Sequence, residues 1–133
     1  MQIDHDYLKR LLEAFQAAPG PLTDIQQLES VGIPYEDPQF IFHMEILQDK
    51  GLVERADGNS GFGLFRGADW NYHSWAVVPL RLTATGHEFL EALHDKRIWA
   101  VIQKQFKSAG IATLVTVAKT MLESYTKQAL GAS

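Results

Sequence analysis

Five histidines, His5, His43, His73, His87 and His94, are the residues of this chain best suited to proton or metal chemistry. Imidazole titrates near neutrality and is the commonest metal ligand. A helical zinc site needs two histidines one turn apart with a glutamate beside the first, and no pair here has that spacing. His87 and His94 fall on one helical face but two turns apart, too far for one ion without other ligands. His87 reads instead as a structural hydrogen-bonder at a helix start. Nucleophilic chemistry has no better footing. The chain contains no cysteine, no Gly-x-Ser-x-Gly elbow and no phosphate loop. The run Gly58-Asn59-Ser60-Gly61-Phe62-Gly63 has the glycines of a phosphate loop but does not lead a strand into a helix. Asp4, Asp6, Glu36 and Asp37 lie where helices begin, and capping and the helix dipole account for them. The expectation is a protein that is not an enzyme, with no metal, no cofactor and no small-molecule substrate.

Recognition chemistry is better represented. Gln39 and His43 carry side chains that hydrogen-bond base edges or phosphates, and Lys50, Arg55, Arg66 and Arg81 can contact a phosphate backbone. Arg66 stands between Phe65 and Gly67, near the tip from which an arginine would enter a minor groove. Other residues suit a protein partner. Phe42 and Ile46, four apart, form a second apolar stripe on the helix that carries Gln39 and His43, and Phe62 and Phe65 sit among glycines. Trp70, Tyr72 and Trp75 read as a small satellite cluster folded back on the chain. Two features oppose nucleic acid. Glu45 and Asp49 share the helix of Gln39 and His43 with the wrong sign for phosphates, and the net charge is -4 where such domains are typically basic.

The elements that position these residues follow from apolar spacing and punctuation. Leu8, Leu11, Leu12 and Phe15 predict a first helix, capped by Asp4 and ended by Pro19-Gly20-Pro21. A short second helix is expected over Asp24 to Ser30 with Thr23 as its cap. Asp37 and Pro38 open a third, whose inward stripe is Phe40, Ile41, Met44 and Leu47 and whose stop is Gly51. Leu52 to Arg55 and Trp75 to Leu82 read as two strands of a hairpin. A long glycine-rich loop joins them, and Pro79 places the return strand at an edge or bulge. Thr85 and Glu88 have capping-box spacing and predict a fourth helix starting there. Asp95 ends it and caps a fifth, which carries Trp99, Ile102 and Phe106. A last helix runs from Ile111 to Leu130.

Three helices, a strand, a loop and a second strand make the order of a winged helix-turn-helix, with the third helix as the one that enters a major groove. The fold class expected is mainly α with a small β-hairpin (α+β): a winged-helix core over residues 1–83 and a helical extension over 84–133, within one domain. At 46% hydrophobic and 21% charged, 133 residues can bury one core without disulfides. The polar, acidic start lacks a signal peptide's pattern, and no apolar run approaches a membrane span. No membrane association and a cytoplasmic location are therefore expected.

Two runs carry a resemblance. Phe42-His43-Met44-Glu45-Ile46-Leu47 through Gly51-Leu52 is one. Leu82-Thr83-Ala84-Thr85-Gly86-His87-Glu88-Phe89-Leu90 with Trp99 after it is the other. Together the chain resembles a group of bacterial and prophage proteins catalogued as a domain of unknown function. The resemblance implies a winged-helix fold and a bacterial or phage origin, and it brings no activity with it. Two functions remain open. The first is a DNA-binding regulator on double-stranded DNA. The rival is a protein-interaction module on the same scaffold. A homodimer is expected through the last helix, by Leu114, Ala118, Met121 and Tyr125.

Overall fold

The computed structural model describes residues 1–68 and 73–131. In chain order the elements are α1 (His5–Gln16), α2 (Ile25–Ser30), α3 (Pro38–Asp49), β1 (Val53–Arg55), β2 (Leu64–Arg66), β3 (His73–Trp75), β4 (Leu80–Leu82), α4 (Ala84–His94), α5 (Lys96–Gln105) and α6 (Ile111–Ala129). The class is α+β: helices with small antiparallel ladders.

Local signals set most helix starts. The Asp4 carboxylate accepts from the Tyr7 N–H at 3.0 Å and opens α1, which buries Tyr7, Leu8, Leu11, Leu12 and Phe15. Asp37 caps α3 through the Gln39 N–H, with Pro38 in the first turn. At α2 the cap is Asp24 rather than the expected Thr23, because Thr23 is in use elsewhere. Thr23 and Leu80 exchange both backbone hydrogen bonds at 2.8 Å. This leaves Leu80 as the non-hydrogen-bonded partner of Arg55 in the β1–β4 ladder. β4 is thus flanked by β1 on one side and by the Thr23 segment on the other. Val53, Leu80 and Leu82 turn inward, while Glu54 and Arg81 face solvent.

The expected return strand over Trp75 to Leu82 is divided. Residues 76–79 are irregular, and Pro79 has no N–H to give a ladder. The Trp75 part pairs instead with the loop, as Leu64↔Trp75, Phe65↔Ser74 and Arg66↔His73. The supposed loop is therefore a second ladder, an arm built on β2 and β3.

The start of α4 also differs from expectation. Its cap is Thr83, not Thr85. The Thr83 hydroxyl accepts from the Gly86 N–H at 3.0 Å and donates to the Gly51 carbonyl at 2.6 Å. The Thr83 N–H in turn donates to the Leu52 carbonyl at 3.0 Å. A box from Thr83 would need Glu or Gln at position 86, where the chain has glycine. A Cβ there would lie 2.1 Å from the Leu52 carbonyl oxygen. Gly51 closes α3 at φ +75°, with the Leu52 N–H donating back to the Leu47 carbonyl at 2.8 Å. The end of α3 and the start of α4 are thus one joint.

Asp95 serves as expected. It caps α5 through the Arg97 and Ile98 N–H groups, and the Arg97 side chain holds its carboxyl down at about 2. A single apolar core runs from Leu8, Leu11 and Leu12 through Phe40, Met44, Leu47 and Leu52 to Leu90, Ile98, Leu114 and Ala118.

Urea denaturation can separate the two threonines. Thr83→Ala should lose about 1 to 2 kcal/mol, whereas Thr85→Ala, exposed and uninvolved, should stay within about 0.5 kcal/mol. Gly86→Ala should lose roughly 3 kcal/mol, since a backbone carbonyl blocks the new methyl.

Candidate interaction surface

The outward side of α3 and the arm beside it hold most of the candidate recognition residues. The arm is fastened to α3 by aromatic packing and an amide hydrogen bond, besides the Arg66–Glu45 pair. Phe62 packs edge-on against Phe40 with ring centroids 5.9 Å apart. Trp75 meets Phe62 at 6.3 Å, Phe40 at 6.3 Å and Tyr35 at 4.9 Å. The Gln48 amide donates to the Gly61 carbonyl at 2.7 Å. Trp75 thus joins a cluster folded back on the chain, as expected, while Trp70 and Tyr72 lie outside the described residues. Phe62 is buried, so it is removed from the residues available to a partner. Phe65, on the alternate face of β2, is 50% exposed and stays available. Phe42 and Ile46 remain half-buried on α3.

His43 does not face outward at all. It is fully buried, between the Tyr7 ring at 4.8 Å and the Phe42 ring at 5.2 Å. Its Nε2 accepts from the Asp4 N–H at 3.0 Å, and its Nδ1 lies 2.7 Å from the Gln39 carbonyl. The two bonds together require the neutral ring with its proton on Nδ1. Burial holds the His43 pKa below its ordinary 6.5, overcoming the Gln39 carbonyl and the charges of Asp4 and Asp37, which act the other way. The candidate base-reader is a structural ring that ties the chain's start to α3. Gln39 is half-buried, and its Oε1 is enclosed without a partner among the described residues. Nearby Tyr7 has a buried hydroxyl, also unpartnered, whose pKa burial and Asp37 push up to about 12 against the pull of Arg10. Sequence reasoning missed this polar cluster, because Tyr7 lies outside the Leu8, Leu11, Leu12 and Phe15 stripe and its partner His43 is distant along the chain. A protonated phenol beside a neutral imidazole supplies no activated nucleophile.

The three arginines are all engaged. Arg55 holds Asp57 with Nε at 3.0 Å and Nη2 at 2.6 Å, reaches the Ser60 carbonyl, and so braces the turn after β1. That contact holds the Asp57 carboxyl down at about 2. Arg81 pairs across the ladder with Glu54 at 2.6 Å. Arg66 pairs with Glu45 of α3. Lys50 is exposed at the end of α3 and has no ion-pair partner among the described residues. The Arg66 and Arg81 pairs are exposed, and such pairs are worth about 0–1 kcal/mol, so they can open. The charge balance is the stronger constraint. Residues 38–82 carry four cations, Lys50, Arg55, Arg66 and Arg81, against five carboxylates, Glu45, Asp49, Glu54, Asp57 and Asp69.

The last helix is turned differently from the expected dimer face. Leu114 and Ala118 are buried within the chain, where α6 packs on α4 and α5, so neither can meet a second copy. Met121 and Tyr125 are half-buried, and the Arg97 guanidinium lies 3.5 Å from the Tyr125 ring centroid. Among the described residues no cluster of three His, Asp or Glu side chains is placed to hold a metal, and no helix is long and apolar enough to cross a membrane.

With α1 to α5 and the arm in view, the comparison with known families is specific. The model of the family described as Hypothetical protein (DUF2513) matches residues 2–112, and the chain belongs to that family. Apart from Ile111 and Ala112, α6 lies beyond the match. No curated protein and no solved structure matches the chain.

His43 gives the surface a pH signature. Its folded pKa is depressed, so the unfolded chain takes up the proton first. Stability should be full above pH 6.5 and fall as the pH drops below it. His43→Gln should be less stable than the parent near neutral pH but lose much of that slope, as read from urea midpoints across the range.

Proposed function

We propose that this protein is a non-enzymatic winged-helix binding protein whose α3 and arm engage a protein partner. The winged-helix assignment draws on the element order and on the Thr23 segment lying beside β4 between α1 and α2. A bacterial or prophage origin follows from the resemblance carried by the Leu82 to Leu90 run. The observation that carries the functional reading is the state of the charges. Arg55, Arg66 and Arg81 are each neutralised by a carboxylate of the chain itself, while Phe42, Ile46 and Phe65 keep apolar area in water.

Counterion release from phosphates requires a surplus of cations, and this face has none. Apolar residues ringed by balanced charge are the composition of a protein interface. Fold alone cannot choose between the two, since winged helices can serve either purpose.

A fluorescence anisotropy titration with random duplex DNA at low salt tests the choice. The protein should show no salt-sensitive binding, and Arg66→Ala should behave as the parent does. Submillimolar binding that weakens steeply with salt, and flattens in Arg66→Ala, would establish the DNA-binding regulator instead.

A further inference from the structure

We infer that the groove between α4 and α6 seats α6 of a second copy of this chain, in a twofold dimer. The groove encloses about 600 Å³. Its apolar lining is Phe89 from α4 with Val115, Leu122 and Leu130 from the α6 segment. Phe89 is already buried, but Val115 and Leu122 are half-exposed and Leu130 is 78% exposed. The other side of α6 is occupied, with Leu114 and Ala118 in the core and Tyr125 beneath Arg97. No residue of α6 after Ala118 is buried. At about 1.5 Å per residue α6 is roughly 28 Å long and α4 roughly 16 Å, so the last turns of α6 lack cover. The sequence-derived dimer used the neighbouring face of this helix, along Leu114, Ala118, Met121 and Tyr125.

The choice of occupant comes from charge. The α4 wall carries Glu88 and Glu91, and the α6 wall carries Lys119 and Lys127 with Glu123 between them. Among the described residues none of these five makes an ion pair. One wall is net acidic and the other net basic, so the α4 wall of one copy is complementary to the α6 wall of another. A twofold axis that lays α6 of each copy in the other's groove sets Lys119 and Lys127 against the partner's acidic α4 wall, twice over. The Val115 and Leu122 ridge then enters the partner's apolar floor. Glu123 lies four residues from each lysine on its own helix and steadies both. An external helix would need this charge pattern reproduced, whereas a second copy already has it. The proposal is independent of the α3 surface, and none of the groove residues belongs to α3 or the arm.

Sedimentation equilibrium at tens of micromolar tests it. The parent should weigh about twice 14.9 kDa. Lys119→Glu with Lys127→Glu, and separately Glu88→Lys with Glu91→Lys, should each give the single-chain mass. Mixing these two variants should restore the doubled mass, since each then meets opposite charge. Circular dichroism checks that both variants fold, and the exposed positions make that the expected result. A single-chain mass for the parent, or a dimer that survives both reversals, would overturn the proposal.

Discussion

The rest of the molecule depends on the joint where α3 ends and α4 begins. Four backbone groups meet there within one turn of each helix. Gly51 ends α3 in a left-handed conformation, and its carbonyl receives the Thr83 hydroxyl. The Leu52 carbonyl receives the Thr83 N–H, and Gly86 lets α4 approach that same carbonyl. This fixes where β1 departs and where β4 must arrive, so the β1–β4 register has little freedom. The arm leaves from that ladder, and α3 presents its outer side beside the arm. The position of α4 also sets how α5 and α6 complete the core. A run that reads as a motif, Leu82 through Leu90, is at this level a cap, a close approach and a buried apolar stripe.

Electrostatics then shapes what the scaffold can offer. Each arginine near the arm has a carboxylate within reach, and each pair serves the structure locally, by bracing a turn, linking two strands or holding the arm to its helix. The exposed Arg66 and Arg81 pairs are individually weak, so their significance is the absence of surplus positive charge rather than rigidity. His43 makes the same point from the interior. A polar residue of α3 is absorbed as a neutral hydrogen-bonder between the Asp4 N–H and the Gln39 carbonyl.

Much of the helical architecture was legible because its signals are local. The stripe from Leu8 to Phe15, the Asp4, Asp37 and Asp95 caps, and the Gly51 stop all act within a few residues. The failures share a cause in contacts distant along the chain. Thr83 and Thr85 are both good caps by residue type, and the Gly51 and Leu52 carbonyls, some thirty residues away, select the first. His43 could not be known to be buried without knowing that the Asp4 backbone crosses it. The arm's ladder is only three residues long on each side, below the length at which alternation is readable. Leu114 and Ala118 belonged to a genuine apolar stripe. Which part of the stripe faced inward was decided by where α4 and α5 lie. For the candidate surface, the residue types were found but their availability was not.

The central claim is that α3 and the arm meet protein rather than nucleic acid. It is tested most directly by placing a photo-crosslinking amino acid at Phe65, the exposed aromatic of β2, and irradiating the protein in cells. The account predicts a discrete protein adduct that disappears when Phe42 and Ile46 are changed to aspartate. A nuclease-sensitive adduct, unaffected by those changes, would contradict it.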